Sequence, residues 1–438
     1  MRFSRFASDK GLSGVLRVPG DKSLSHRAVL FSAMAEGTSV LCGLLDSADV
    51  RSTIDACQML GARVEDHVAQ DGSIEASVTG WGATGPARPS GPIDCGNSGT
   101  TARLLLGVMA GWDVEVTLIG DESLSRRPMS RVTWPLALMG ATCVATGGHL
   151  PVTIRGGTLE PLVYESPVAS AQVKTAILLA GIRANGRTVV REPARSRDHT
   201  ERLLPAFGVT VGSDWDSNSS WVDGPVTPSA ACVRVPGDPS SAAFIAVAAA
   251  LVPGSEVRID DVALNPTRTG FIEVMRRMGA SITTVPDAEY GGEPAGSITV
   301  RHSPHLMPTI VTAEEVPSLV DEIPVLALLA SAAEGETVFL GVGELRVKES
   351  DRLAAIVDGL RILGVDARAE KDTLYVRGPA RLKGGVVLDS MGDHRLAMVW
   401  ALAGIAAEQP VEVIRFDAVE VSYPGFARDI AALRGLDR

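Results

Sequence analysis

Positively charged side chains lie at the predicted starts of buried helices. Lys22 and Arg27 open one apolar segment, and Arg395 opens a similar one near the C-terminus. A cation at a helix N-terminus opposes the helix dipole, whereas an anion placed there is stabilised by the dipole and by backbone N–H groups. We therefore predict that small anions bind at these helix starts, shared between the cations and the backbone.

Acidic residues accompany the cations of the second half. Lys348, Glu349 and Arg352 place two cations beside one carboxylate. A helix start with ion pairs four residues apart gives the same pattern. Asp321 and Glu322 open another predicted helix, where acids are common, so their charge alone does not identify a catalytic base.

Other polar residues have simpler interpretations. The glycine-rich segment 96–103 can cradle an anion, but alone it is a weak signal. We predict that Ser240, Ser241 and Asp393 are helix N-caps. Cys95 is expected to be a packed, apolar-like residue, and the two histidines of the segment 302–305 are expected to lie in a loop.

The elements that must position these residues follow a repeat. An apolar Ala/Leu-rich segment, predicted as a buried helix, is followed by a turn and a β-type run, and this pattern recurs at 26–41, 101–118, 171–190, 242–259, 324–340 and 395–414. Amphipathic segments alternate with it, and each ends in a glycine that predicts a left-handed C-cap. These glycines are Gly61, Gly140, Gly208, Gly279, Gly364 and Gly435. The sequence therefore predicts six strand–helix–strand–helix–strand units, which together indicate an α/β fold.

Two related halves follow from a second repeat. The letters RVPGD occur at 17–21 and again at 234–238, half a chain apart. We predict two domains of three units each. One consists of 1–20 and 237–438 and holds repeats 4–6; the other, 21–236, is inserted and holds repeats 1–3.

Composition narrows the class of protein. The 438 residues carry a formal charge of −11 and no basic run, which argues against nucleic-acid binding. The longest apolar stretches are too short to span a bilayer, and 1–11 lacks the apolar core of a secretory signal. The cysteines are odd in number, far apart and without a Cys-x-x-Cys spacing, which favours neither zinc nor disulfides and predicts a reducing cytoplasm. They are Cys42, Cys57, Cys95, Cys143 and Cys232.

Four motifs together resemble the 5-enolpyruvylshikimate-3-phosphate synthase family. They are GDKSLSHRA at 20–28, GNSGTTAR at 96–103, LRVKESDR at 345–352 and GDHR at 392–395. The resemblance implies two domains, each of three βαβαββ units with pseudo-threefold symmetry like an inverted α/β barrel. A two-strand hinge joins them, and the active site lies in the interdomain cleft.

The reaction that the resemblance implies is the transfer of enolpyruvyl from phosphoenolpyruvate to the 5-hydroxyl of shikimate 3-phosphate. Phosphate leaves through a tetrahedral intermediate, as part of aromatic amino-acid biosynthesis. The resemblance implies no metal and no organic cofactor. We expect a monomer that binds neither nucleic acid nor membrane, and whose partners are these two small anions.

The resemblance also implies roles for individual residues. The catalytic residues would be Lys22, Asp321 at the attacking hydroxyl, and Glu349 as proton donor to the methylene carbon. Glu349 lies between cations and is expected to be ionised, so it needs a bound ligand or Lys22 as its proton source. The residues implied for shikimate 3-phosphate are Lys22, Ser23, Arg27, Ser170, Gln172, Arg197, Asp321 and Lys348. Those implied for phosphoenolpyruvate are Lys22, Asn97, Gly99, Arg103, Arg127, Gln172, Arg352, His394 and Arg395.

Three positions bear on how far the resemblance extends. Ala171 stands where many members have serine, and Val421 stands where others have a lysine for phosphoenolpyruvate. Gly99 is kept where some inhibitor-tolerant members have alanine, so we expect glyphosate to enter beside it. The alternatives are a UDP-N-acetylglucosamine enolpyruvyl transferase, whose hallmark cysteine is missing from 121–128, and a non-catalytic repeat scaffold.

Overall fold

The structure is a computed structural model that describes residues 1–4 and 11–435. Its strands are β1 (Arg2–Phe3), β2 (Ser13–Arg17), β3 (Thr38–Leu44), β4 (Arg63–Val68), β5 (Ile74–Thr79), β6 (Ile93–Asp94), β7 (Glu115–Ile119), β8 (Thr142–Thr146), β9 (His149–Arg155), β10 (Val163–Glu165), β11 (Gly186–Arg191), β12 (Val211–Asp214), β13 (Ser219–Gly224), β14 (Cys232–Arg234), β15 (Glu256–Ala263), β16 (Ser281–Tyr290), β17 (Glu293–Arg301), β18 (Ile310–Val311), β19 (Glu336–Phe339), β20 (Asp366–Glu370), β21 (Thr373–Arg377), β22 (Val386–Asp389) and β23 (Val411–Ile414). Its helices are α1 (Lys22–Met34), α2 (Ala48–Met59), α3 (Gly99–Met109), α4 (Glu122–Ser125), α5 (Ser130–Leu138), α6 (Ala171–Gly181), α7 (His199–Leu203), α8 (Pro239–Leu251), α9 (Gly270–Arg277), α10 (Ile323–Ala330), α11 (Arg352–Ile362), α12 (His394–Ala406) and α13 (Phe426–Leu433).

The chain divides into two compact units. The central unit consists of Gly20–Val235 and Glu289–Glu293, and the terminal unit of Met1–Pro19, Pro236–Ala288 and Pro294–Arg438. The sheets of the central unit have the strand orders β14-β3-β5-β4, β6-β7-β9-β8 and β10-β11-β13-β12. Those of the terminal unit are β16-β17-β15-β2, β18-β19-β21-β20 and β1-β23-β22. The α/β class is confirmed, as six small mixed sheets with helices.

One sheet illustrates the repeated unit. Strands β6 and β7 are parallel, with α3 between them in sequence. Strand β9 pairs antiparallel with both β7 and β8. A parallel pair needs a crossover connection, and the apolar helix supplies it, while the glycine-ended helix α5 leads into the hairpin.

The apolar repeats form the helix cores of both units. Every residue from Pro239 to Ala250 in α8 and every residue of α10 is buried. Helices α1, α3, α6 and α12 are buried over most of their length as well. The prediction of buried helices is confirmed, because segments with so little charge lose no hydration of ionic groups when packed on every side.

Glycines end the amphipathic helices as predicted. The six glycines named above all have φ between +66° and +112°, the left-handed region that closes a helix at little steric cost. The third repeat differs, because its amphipathic α-helix consists only of the short α7. A 3-10 turn at Leu204–Phe207 follows, in which Pro205 lacks the N–H that would continue an α-helix. No helix of the described residues is long and apolar enough to cross a membrane.

Candidate functional site

The sixteen predicted site residues divide between the two units, and we call the two groups the central cluster and the terminal cluster. The central cluster consists of Lys22, Ser23, Arg27, Asn97, Gly99, Arg103, Arg127, Ser170, Gln172 and Arg197. The terminal cluster consists of Asp321, Lys348, Glu349, Arg352, His394 and Arg395. Most of these residues lie at or near the N-terminal end of a helix, whereas Arg127 lies in the connection between α4 and α5.

Lys22 is the first residue of α1 and contacts a carboxylate of the protein. Its Nζ lies 3.1 Å from Oδ2 of Asp49, and both side chains are largely buried. Asp21 caps the same helix by accepting a hydrogen bond from the Leu24 N–H at 2.8 Å. The charge-assisted contact holds the ammonium group in one orientation at the helix start. Sequence reasoning missed Asp49, because an acid in the first turn of α2 is indistinguishable from an ordinary dipole-stabilising residue.

Arg27 is held by neutral oxygen atoms. Its Nε donates to Thr200 Oγ1 at 2.8 Å, its Nη2 to Thr175 Oγ1 at 2.9 Å, and its Nη1 to the Ser23 carbonyl at 3.0 Å. Burial lowers the pKa of Arg27 to about 10, although more distant carboxylates such as Glu201 oppose the shift. The guanidinium therefore stays charged at neutral pH, with no carboxylate among these three partners.

Asn97 lies between a carboxylate and a guanidinium. Its Nδ2 donates to Asp121 Oδ2 at 2.6 Å, and its Oδ1 accepts from Arg127 Nη2 at 2.7 Å. Arg126 instead pairs with Glu122 at 3.3 Å on the surface. The adjacent arginines therefore differ, because Arg127 contacts Asn97 whereas Arg126 lies on an exposed face.

Arg103 joins helices α3 and α6. Its Nη1 donates to Gln172 Oε1 at 2.6 Å, and Gln172 Nε2 donates in turn to Thr100 Oγ1 at 2.9 Å. Gly99 leaves the room for this arrangement. A Cβ atom built on Gly99 would lie 2.8 Å from Arg103 Nη1 and 3.4 Å from Arg127 Nη1.

Ser170 and Arg197 lie in different connections, but both connections reach one carboxylate. The Ser170 N–H donates to Glu192 Oε1 at 2.8 Å, and the Ser196 hydroxyl donates to Glu192 Oε2 at 2.8 Å. Arg197 follows Ser196 and is half-buried. The Ser170 hydroxyl does not cap α6, in contrast to the side-chain caps of α1 and α3.

In the terminal cluster, Arg352 is buried among three carboxylates. Its Nε lies 2.7 Å from Asp393 Oδ2, its Nη1 3.1 Å from Asp321 Oδ1, and its Nη2 2.6 Å from Glu349 Oε2. Burial alone would lower the pKa of Arg352, but the three negative charges outweigh it and raise the pKa above its usual value. Asp393 also caps α12, as predicted, by accepting from the Arg395 N–H at 2.9 Å.

Asp321 is surrounded by cations. Besides Arg352, its carboxylate lies 3.8 Å from Lys348 Nζ and 3.6 Å from Arg395 Nη2. Arg395 Nη1 also donates to the Asp321 carbonyl at 3.1 Å. His394, the first residue of α12, is buried beside Arg395 in sequence. The structure therefore brings Asp321 together with three of the other predicted residues.

Buried polar contacts extend from Arg395 to Glu322 and Ser240, and they show that the helix-capping prediction for Ser240 and Ser241 was wrong. Asp238, and not Ser240 or Ser241, caps α8 by accepting from the Ser240 N–H at 2.7 Å. The Ser240 hydroxyl instead donates to Glu322, whose Oε1 lies 3.6 Å from Arg395 Nη1. The capping prediction for the two serines was wrong because an acid two residues earlier already occupied the cap position.

Two of the simpler interpretations are confirmed. Cys95 is fully buried, and burial raises the pKa of its thiol to about 12. His302 and His305 lie in a loop between β17 and β18. Within the described residues there is no group of three or more His, Cys, Asp or Glu side chains that could hold a metal ion.

Comparison with known proteins agrees with the motifs. A family model described as EPSP synthase (3-phosphoshikimate 1-carboxyvinyltransferase) matches residues 7–430. The chain is 47% identical over 429 residues to the 3-phosphoshikimate 1-carboxyvinyltransferase of Shouchella clausii (strain KSM-K16), covering 98% of each chain. It is 48% identical over 425 residues to that of Geobacillus kaustophilus (strain HTA426), covering 96% of this chain and 98% of the relative. The solved structure of EPSP synthase from Acinetobacter baumannii is 40% identical with a TM-score of 0.86, covering 98% of this chain and 97% of that one. A match of this extent shows that the chain belongs to the EPSP synthase family.

Proposed function

We propose that the two clusters together transfer the enolpyruvyl group of phosphoenolpyruvate to the 5-hydroxyl of shikimate 3-phosphate and release phosphate. The observation that carries the assignment is the family match over residues 7–430, with all four motifs placed at or near helix starts. Both substrates are multiply charged anions, and the clusters supply at least one cation for each charged group.

Shikimate 3-phosphate is assigned to Lys22, Ser23, Arg27, Ser170, Gln172, Arg197, Asp321 and Lys348. The surroundings of Arg27 support this assignment, because a buried guanidinium bound only by hydroxyl and carbonyl oxygens gains from a nearby anion. Lys22 differs, since Asp49 already offsets its charge. The contact with Asp49 instead fixes where the ammonium group of Lys22 lies at the start of α1.

Phosphoenolpyruvate is assigned to Lys22, Asn97, Gly99, Arg103, Arg127, Gln172, Arg352, His394 and Arg395. Gly99 supports this assignment, because the absence of a side chain lets the guanidinium groups of Arg103 and Arg127 lie close to the start of α3, where an anion is stabilised. At Arg352 an incoming anion would compete with three carboxylates that already bind the guanidinium. We therefore assign more of the attraction for phosphoenolpyruvate to Arg395.

The chemistry is an addition followed by an elimination. The substrate 5-hydroxyl oxygen bonds to C2 of phosphoenolpyruvate and gives its proton to Asp321, while C3 takes a proton from Glu349 or Lys22. The tetrahedral intermediate then loses phosphate from C2 as C3 returns a proton and the double bond re-forms. Arg352 contacts both Asp321 and Glu349, so it orients the two carboxylates for these transfers.

Both units are required by these roles, since Lys22 belongs to the central unit and Asp321 and Glu349 to the terminal one. On the family resemblance we propose an active site in the cleft between two hinged domains of pseudo-threefold symmetry. Substrate binding closes the cleft and removes water from the reacting atoms.

The test is phosphate release from phosphoenolpyruvate with shikimate 3-phosphate as acceptor, set beside UDP-N-acetylglucosamine. Release with shikimate 3-phosphate alone is the expected result. Release with the sugar nucleotide would establish the sister transferase instead, and release with neither would favour the non-catalytic scaffold.

A further inference from the structure

A buried ion triad lies in the central unit, outside the residues assigned to the reaction. Lys174 Nζ is 3.0 Å from Glu192 Oε2 and 2.8 Å from Glu201 Oε1, and all three side chains are nearly inaccessible to solvent. Burial would lower the pKa of Lys174, but Glu201 and Glu192 outweigh it and raise the pKa. The lysine is therefore charged, and it is held between two buried carboxyl groups.

The two carboxylates of the triad have different second partners. Glu201 accepts from the Ser220 hydroxyl at 2.8 Å, which ties α7 to β13 within the packed body of the unit. Glu192 begins the connection between β11 and α7 that carries Arg197, and it also contacts the connection before α6 that carries Ser170. Its Oε1 accepts from the Ser170 N–H and its Oε2 from the Ser196 hydroxyl, each at 2.8 Å.

We infer that Glu192 is a positioning residue for shikimate 3-phosphate, which holds the connection before α6 and the connection that carries Arg197 in their binding arrangement. The inference rests on the proposed roles of Ser170 and Arg197. Glu192 lies in the connection that carries Arg197, binds Ser196 within it and accepts the Ser170 N–H of the other connection, so a shift of either is transmitted to the other. Lys174 fixes the carboxylate from the buried side and is itself held by Glu201.

The alternative for Glu192 is a purely stabilising ion pair. That role would make Glu192 and Glu201 equivalent, since both are buried partners of the same lysine. The positioning role makes them different, because only Glu192 touches the substrate-bearing connections. The two roles also differ in their effect on phosphoenolpyruvate. The side chain of Gln172 is held by Arg103 and Thr100 and not by Glu192. The contacts to phosphoenolpyruvate should therefore survive the loss of Glu192.

The experiment compares Glu192→Gln with the matched variant Glu201→Gln in the full-length enzyme. Each removes one negative charge beside Lys174 and leaves the other carboxylate in place. For Glu192→Gln we expect the KM for shikimate 3-phosphate to rise about 10-fold, as for the loss of one charged hydrogen bond, with an unchanged KM for phosphoenolpyruvate. Glu201→Gln should change the KM for shikimate 3-phosphate much less, because Glu201 contacts neither connection and acts on Arg27 only from a distance. The assay is run at pH 7, well below the pKa of Arg27, so that Arg27 stays charged in both variants.

A milder variant covers the case in which Glu192→Gln fails to fold. Ser196→Ala removes only the tether to the connection of Arg197, and we expect a smaller rise in the KM for shikimate 3-phosphate alone. Equal changes for Glu192→Gln and Glu201→Gln, or a change in the KM of both substrates together, would overturn the inference. An unchanged KM for shikimate 3-phosphate in Ser196→Ala would overturn it as well, whether or not Glu192→Gln folds. If the wild-type enzyme does not turn over shikimate 3-phosphate, the proposed function fails first.

Discussion

Replacing Gly99 by alanine tests the space between the guanidinium groups of the central cluster. The added Cβ atom would lie 2.8 Å from Arg103 Nη1, about 0.6 Å inside ordinary contact, and 3.4 Å from Arg127 Nη1. The guanidinium of Arg103 is the flexible end of a side chain and can move, so the helix itself should tolerate alanine. Misplacing a group of an active site by about 1 Å can lower the rate on the order of 100-fold. For the smaller displacement of the Arg103 guanidinium we expect an effect of roughly 10-fold, seen as a rise in the KM for phosphoenolpyruvate.

Steady-state assays should vary each substrate separately, because the KM for shikimate 3-phosphate is expected to stay near its wild-type value. Gly91→Ala is the matched control, since a Cβ atom at Gly91 meets nothing within 4 Å. The same assays should show that glyphosate inhibits the wild-type enzyme and inhibits Gly99→Ala less. Equal phosphoenolpyruvate KM values for Gly99→Ala, Gly91→Ala and wild type would refute the argument from space.

Three further outcomes are expected. Lys22→Met should abolish turnover while circular dichroism and the melting temperature stay close to wild type, and near-normal turnover would remove Lys22 from the chemistry. Burial lowers the pKa of His26 to about 3, so the folded state keeps His26 neutral while the unfolded chain takes up a proton below about pH 6.5. Stability should therefore fall as pH drops from 6.5 toward 3, and His26→Gln should flatten the fall between pH 6.5 and 5 by up to about 1.4 kcal/mol per pH unit in denaturant titrations; parallel profiles would contradict this. Shikimate 3-phosphate should reduce the radius of gyration in solution scattering, and superimposable profiles with and without ligand would count against domain closure.

The sequence predicted the local structure well because local patterns determine it. Apolar segments with almost no charge are typical of helices packed on every side, and α8 is one. A glycine after an amphipathic run is typical of a left-handed helix end, as Gly61 and Gly279 show. Shared patterns of this kind revealed the six units without any knowledge of how their sheets pair.

The partners of the site residues were beyond sequence reasoning. Asp49, Asp121 and Glu192 each hold a predicted residue from at least 22 positions away along the chain. An acid near a helix start looks the same whether it caps that helix or binds a distant cation, as the error at Ser240 also shows. The roles of the sixteen residues came from the family resemblance, and their distances to substrate stay predictions.

The three carboxylates around Arg352 affect how any alanine scan of this enzyme should be interpreted. Removing the guanidinium takes away the cation that Asp321, Glu349 and Asp393 share, although Lys348 and Arg395 still lie near Asp321, so the loss of activity would include increased repulsion among the three carboxylates. A single substitution thus overstates the share of Arg352 in substrate binding. A double-mutant cycle of Arg352→Gln and Asp393→Asn separates the two contributions, because removing one of the competing charges should restore part of what the first change destroys.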